Sequence, residues 1–221
     1  MTAATPLVPR KVPVGVLISG SGTNLQALLD AAADPAYPAR IALVISNRAE
    51  AAGLARAERA GVDTAVIRAP DRAAADDRVV HALRAHGVEW VCLAGFMRLV
   101  TARLLEPYRD RVLNIHPALL PAFPGLHAQE QALRAGVRIA GCSVHFVDQG
   151  CDTGPIVAQG AVAVLPHDDE ATLRARILRM EHRIYPLALR WVAEGRVAVA
   201  NGRVAVDLPG GELPYRFDPS P

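Results

Sequence analysis

Short runs of β-branched and other apolar residues alternate with longer helical stretches through most of the chain, and this alternation is the strongest constraint on its fold. Residues 14–19, 40–46, 64–67, 90–94 and 111–115 read as strands, with helices over 25–33, 51–60, 71–86 and 101–108 between them. The strand segments are apolar on both faces, as a parallel sheet covered by helices on both sides requires. The pattern predicts an α/β chain built on a Rossmann-like, open, mostly parallel twisted sheet.

The second half changes character. Pro117, Pro121 and Pro124 with Gly125 force an irregular loop, because proline supplies no amide donor and pushes its predecessor out of the helical region. A helix over 128–135 follows, then a strand over 141–147 that alternates as if half-exposed, a Gly/Pro/Asp loop over 148–155, and a strand over 156–164. Asp168 and Asp169 can cap a long helix from 170 to 194, with a kink expected at Pro186. Residues 196–207 alternate around Asn201-Gly202, a C-terminal β-hairpin signal. The division expected is a flexible lead over 1–12, a single catalytic domain over 13–207, and a Pro/Gly-rich tail over 208–221 that runs along the surface.

Composition narrows the class of partner. A chain of 221 residues with 51% hydrophobic content can bury a real core. The formal charge is only +2, and the arginines are interleaved with acidic residues, Lys11 being the only lysine. Binding to nucleic acid or to a membrane surface needs a concentrated positive field, and none is present. Cys92, Cys142 and Cys151 show no paired spacing, which argues against a disulfide framework or a structural zinc site. No signal-peptide core precedes the first strand, and its apolar run is too short to span a bilayer, so the expected location is cytoplasmic.

Three constellations can carry chemistry. Gly20-Ser21-Gly22-Thr23-Asn24 lies between the first strand and the first helix, where glycines let a ligand approach the backbone and the helix offers free amides. Leu25 stands where a dinucleotide fingerprint needs a third glycine, and no Gly-Lys-Ser/Thr follows, so a monophosphate fits better. The same segment also reads as a glycine turn capped by Ser21 or Thr23. Asn114 and His116 project to one face at the carboxyl end of a predicted strand, where an amide donor beside an imidazole makes an oxyanion site; a histidine satisfied by local backbone is the alternative. Asp152, in the loop over 148–155, can orient that imidazole and keep it protonated, or simply shape an Asx turn. His145 is an accessory candidate on the neighbouring strand. Phe96, Met97, Leu99 and Val100, after Gly95, suit an apolar slot for a flat heterocycle or ordinary core packing. Glu181-His182 falls in mid-helix, where a solvated face is the default. His81, His86 and His167 have no spaced partners, and no metal is assigned.

Taken together, these segments resemble the phosphoribosylglycinamide formyltransferase family. The matching stretches are Ile18 to Ala27, Leu93-Ala-Gly-Phe-Met-Arg98, Leu113-Asn-Ile-His-Pro-Ala-Leu-Leu-Pro121, Ser143 to Val147, Asp152-Thr-Gly-Pro155 and Glu181-His-Arg-Ile-Tyr-Pro186, in the family's order. The resemblance implies the formyltransferase fold and transfer of a formyl group from 10-formyltetrahydrofolate to glycinamide ribonucleotide, with no metal. Gly22, Thr23 and Asn24 would hold the phosphate and Glu181 the ribose hydroxyls. Arg72, Met97, Arg98, Leu99, Val100, Asn114, Asp148, Gln149, Gly150, Cys151 and Asp152 would receive the folate, and Asn114, His116 and Asp152 would be catalytic. Ala118 stands where the family often has serine, which removes no proposed catalytic group.

Two relatives compete. A formyltetrahydrofolate hydrolase should carry a regulatory domain ahead of the catalytic one, and a methionyl-tRNA formyltransferase a basic C-terminal domain; with about a dozen residues before the first strand and a short tail after 207, neither is expected. A nucleotide-binding module without chemistry is the rival from another class. The partners expected are the two small substrates, with no nucleic acid and no membrane, and a homodimer is left open.

Overall fold

The computed structural model describes residues 10–208, 210 and 213–220. The elements run β1 (Val12–Ile18), α1 (Thr23–Ala33), β2 (Ala39–Ser46), α2 (Ala52–Arg59), β3 (Thr64–Val66), α3 (Arg72–Ala85), β4 (Trp90–Leu93), α4 (Ala102–Leu105) and β5 (Val112–His116). They continue α5 (Ala128–Ala135), β6 (Ile139–Phe146), β7 (Ile156–Ala163), α6 (Glu170–Ala193), β8 (Val197–Ala200), β9 (Arg203–Val206) and β10 (Tyr215–Asp218). Most of the expected lead, residues 1–9, lies outside the described residues, and so do residues 209, 211, 212 and 221 of the tail.

An eight-stranded sheet has the order β10-β7-β6-β5-β4-β1-β2-β3, and β8 pairs with β9 as a separate antiparallel hairpin. The order reverses between β1 and β4, the crevice at which open α/β sheets bind ligands. Pairings within the large sheet are parallel except those of β6 with β5 and β7. Side chains alternate along β1, so Val14, Val16 and Ile18 enter a core shared with α1, α2, α5 and α6, while Leu17 enters the core under α3 and α4. Gly15 lets α3 settle close, since a Cβ there would lie 2.3 Å from Leu83 Cδ2.

The strand expected to be half-exposed, β6, is buried from Ala140 to Phe146 because it lies inside the sheet, and its polar Ser143 and His145 are satisfied within the protein. α6 continues through Pro186, whose carbonyl accepts the Tyr37 hydroxyl at 2.6 Å. In the tail, β10 pairs in parallel with β7, and the Arg183–Asp218 ion pair, 2.9 Å, ties it to α6. Asp169, not Asp168, caps α6, through a reciprocal capping box with Thr172. Asp168 instead forms a bidentate pair with Arg176, at 2.6 and 3.0 Å.

α6 is also the element that joins the two sides of the site. Its Tyr185 hydroxyl lies 3.1 Å from the Leu93 carbonyl and 3.2 Å from the Leu113 carbonyl, bridging β4 and β5. One turn earlier, Glu181 accepts a hydrogen bond from Asn24 Nδ2 of α1 at 2.7 Å. The mid-helix glutamate is therefore buried rather than solvated. Burial pushes its carboxyl up from 4.5 to about 7, against the opposing pull of the Asn24 amide. The folded chain thus binds this proton more tightly than the unfolded chain, and the neutral form's stability advantage is lost as pH rises from about 4.5 to about 7. Glu181→Gln, which mimics the neutral acid, is expected to gain stability relative to the parent across that window and to level off above it. The gain is on the order of 3 kcal/mol at most. Urea unfolding at several pH values checks this, and a pH-independent difference would contradict it.

Candidate active site

The backbone leaving β1 turns through Gly22 at φ +69°, the left-handed region that favours glycine. A Cβ there would stand 2.5 Å from Gly53 Cα, so the turn packs directly on α2. Gly53 N–H donates to the Gly20 carbonyl at 3.1 Å, and Arg56 Nε donates to the Ser21 carbonyl at 2.8 Å. Among the described residues no side chain caps α1 at its Gly22 N-cap, so the reading of this segment as a turn capped by Ser21 or Thr23 does not hold. The first-turn amides of α1 are left free for an anion.

The second wall forms where β5 meets β6. In their antiparallel register Asn114 faces His145 and His116 faces Ser143. Asn114 Nδ2 lies 3.1 Å from His145 Nε2 and donates to Asp152 Oδ1 at 3.4 Å. His116 Nδ1 lies 3.3 Å from Asp152 Oδ2, and its Nε2 donates to the Phe123 carbonyl at 2.9 Å. With an acceptor at each nitrogen, an imidazolium is satisfied at both and a neutral ring at only one. His145 Nδ1 donates to the Phe146 carbonyl at 2.7 Å, while its Nε2 is 3.5 Å from Asp152 Oδ1.

Asp152 is where these groups converge. It also accepts the Gly125 amide at 2.9 Å, and it adopts φ +56°. Burial pushes its carboxyl up, but the His145 hydrogen bond, the Gly125 amide and the charges of His116 and His145 outweigh burial and hold it down at about 2. The carboxylate therefore stays ionised throughout the neutral range.

A cavity of about 740 Å³ opens in front of these groups. Every residue expected to receive the folate lines it: Arg72 at the start of α3, residues 97–100 after β4, Asn114, and residues 148–152. His116 and His145 line it too. Gly22, Thr23, Asn24 and Glu181 do not; Asn24 and Glu181 meet instead where α1 packs on α6. Sequence reasoning missed Gly125, Leu126, His127, Ala128, Gln129 and Arg174, all of which border the cavity. The Pro124-Gly125 step soon after the His-Pro pair could have signalled the first of these; nothing local signals Arg174, which reaches the cavity from α6. Ser19 joins the two regions: its hydroxyl accepts from Met97 N–H at 2.8 Å and its own N–H donates to the Gly95 carbonyl at 3.2 Å. Among the described residues no cluster of histidine, cysteine and acidic side chains could hold a metal ion, and all three cysteines are free.

Known proteins resemble this chain over most of its length. The formyl transferase family matches residues 12–189. The phosphoribosylglycinamide formyltransferase of Escherichia coli (strain K12) is 42% identical over 202 residues, covering 90% of this chain and 94% of that protein. The trifunctional purine biosynthetic protein adenosine-3 of Drosophila pseudoobscura pseudoobscura is 51% identical over 192 residues, or 85% of this chain, which spans only 14% of that longer protein. Among solved structures, glycinamide ribonucleotide transformylase 1 from Symbiobacterium toebii superposes with a TM-score of 0.87 at 55% identity, covering 89% of this chain and 94% of that one. The chain therefore belongs to the formyl transferase family, within which it groups with the phosphoribosylglycinamide formyltransferases.

Proposed function

We propose that this chain transfers the formyl group of 10-formyltetrahydrofolate to the amine of glycinamide ribonucleotide, a cytoplasmic step of purine nucleotide synthesis. The observation that carries the reading is the convergence of Asn114, His116 and Asp152 on one wall of a cavity large enough for a flat heterocycle. The free amides of α1 beside Gly22, Thr23 and Asn24 supply the phosphate subsite, and Glu181 faces the ribose hydroxyls. Residues 97–100 and 148–152, with Arg72, receive the folate.

The chemistry follows from where charge develops. The substrate amine attacks the formyl carbon, and the carbonyl oxygen becomes anionic in the tetrahedral intermediate. The Asn114 amide and a His116 N–H donate to that oxygen. His116 Nε2–H exchanges its Phe123 carbonyl for the oxyanion, while Nδ1–H keeps facing Asp152, so the ring stays oriented. Collapse breaks the bond to N10 of the folate: His116 gives its Nε2 proton to that nitrogen as it leaves, and the proton released by the attacking amine restores the ring.

Removing one oxyanion donor typically costs on the order of a hundredfold to a thousandfold in turnover. Asn114→Ala is expected to lose activity by that factor, and His116→Ala by more, since it also moves protons. The assay is folate absorbance with purified protein, 10-formyltetrahydrofolate and glycinamide ribonucleotide; near-parental turnover in a folded variant would sink the assignment. Deformylation without the amine acceptor would favour a hydrolase, and binding without turnover a nucleotide-binding module. For Asp152→Asn the expected result is a lowered rate with a displaced pH profile, because the neutral amide no longer stabilises the imidazolium. An unchanged profile would reduce Asp152 to a turn residue.

A further inference from the structure

The segment over 94–101, which borders the cavity, is fastened at both ends by polar groups. Ser19 holds the near end, through Met97 N–H at 2.8 Å and the Gly95 carbonyl at 3.2 Å. Asp76 of α3, 0% exposed, holds the far end. Its Oδ1 is ion-paired with Arg98 Nη2, and its Oδ2 accepts Thr101 N–H at 2.6 Å. Arg98 Nη1 reaches the Arg72 carbonyl at 3.4 Å, and its Cζ lies 5.4 Å from the centre of the Phe96 ring.

Phe96 and Val100 pack against the core under α3 and α4, but Met97 and Leu99 between them are 63% and 53% exposed, so apolar burial alone does not set the path of this segment. Electrostatics supply the rest. A carboxylate withheld from water must stay paired and hydrogen-bonded, and one cation and one amide occupy the two oxygens of Asp76. The position of α3 therefore dictates where Arg98 and Thr101 sit, and with them the lip of the cavity between. Asp76 does not itself line that cavity.

We propose that Asp76 is a positioning residue for folate recognition, holding the segment over 97–101 in the shape that accepts the heterocycle. This rests on the reading that the cavity receives the folate. Asn114, His116 and Asp152 are held by their own contacts on β5 and in the loop over 148–155, so releasing the clamp weakens folate binding and leaves the chemical step in place.

Steady-state kinetics with both substrates tests this. Asp76→Asn keeps the size of the side chain and its carbonyl acceptor but removes the charge facing Arg98. The expected result is a KM for 10-formyltetrahydrofolate raised about tenfold or more, with the KM for glycinamide ribonucleotide and kcat within about threefold of the parent. If that variant fails to fold, Asp76→Glu keeps the charge but adds a methylene that displaces the clamp, and a smaller, folate-specific rise in KM is expected. An unmoved folate KM in a folded variant, or a matched deterioration of both substrates' KM, overturns the proposal. Parental turnover is measured alongside: its absence sinks the functional reading together with the clamp, whereas parental turnover with an unmoved folate KM sinks the clamp alone.

Discussion

A carboxylate whose side chain is only 13% exposed has to replace its lost water with donors, and Asp152 draws these from separate parts of the chain. Asn114 and His116 come from β5, His145 from β6, and the Gly125 amide from the proline-containing loop. One anion thus ties together a parallel strand, an antiparallel strand and two irregular loops. The left-handed backbone at Asp152 costs about 1–3 kcal/mol for a residue with a side chain, and the surrounding bonds offset it. In the proposed catalytic wall, the groups that would do the chemistry are the same groups that solvate the anion.

That convergence depends on the direction of β6. Lying antiparallel between β5 and β7, it sets His145 opposite Asn114 and Ser143 opposite His116. A slip of one residue would turn both side chains to the other face of the sheet. Ser143 extends the arrangement beyond the sheet. Its hydroxyl donates to the Ala118 carbonyl at 2.8 Å and accepts from Leu120 N–H and Gln159 Nε2, each at 3.0 Å. The loop after His116 is thereby pinned close to the imidazole it must hold.

The alternating order of strands and helices was legible in the sequence because it rests on local periodicity, and β1 to β5 follow it closely. Asn114, His116 and Asp152 were legible as motifs, since a strand end and a Gly/Asp loop are local features. What failed was anything decided by partners distant in sequence. Ser143 and His145 look like the wet face of an edge strand, yet they are dry because Ala118, Leu120, Gln159 and Asn114 satisfy them. β10 is four residues long, and its strand character comes from pairing with β7 rather than from its own pattern. Glu181 looks solvated until α1 covers it, and Asp76 reads as one more acid on a polar helix until Arg98 arrives.

α6 shows what a single continuous helix imposes on such a site. Arg174 borders the cavity, Glu181 meets Asn24, and Tyr185 reaches the carbonyls of β4 and β5. Seven residues separate the first two, nearly two full turns at about 100° per residue, so they share a face of one rod. The helix is therefore a ruler between the two sides of the site, and its length is under the same constraint as its side chains. Inserting one residue after Arg174 would swing Glu181 and Tyr185 about 100° away from their partners while leaving Arg174 in place. Divergence along this stretch can proceed by substitution on the outer face, but not by insertion or deletion.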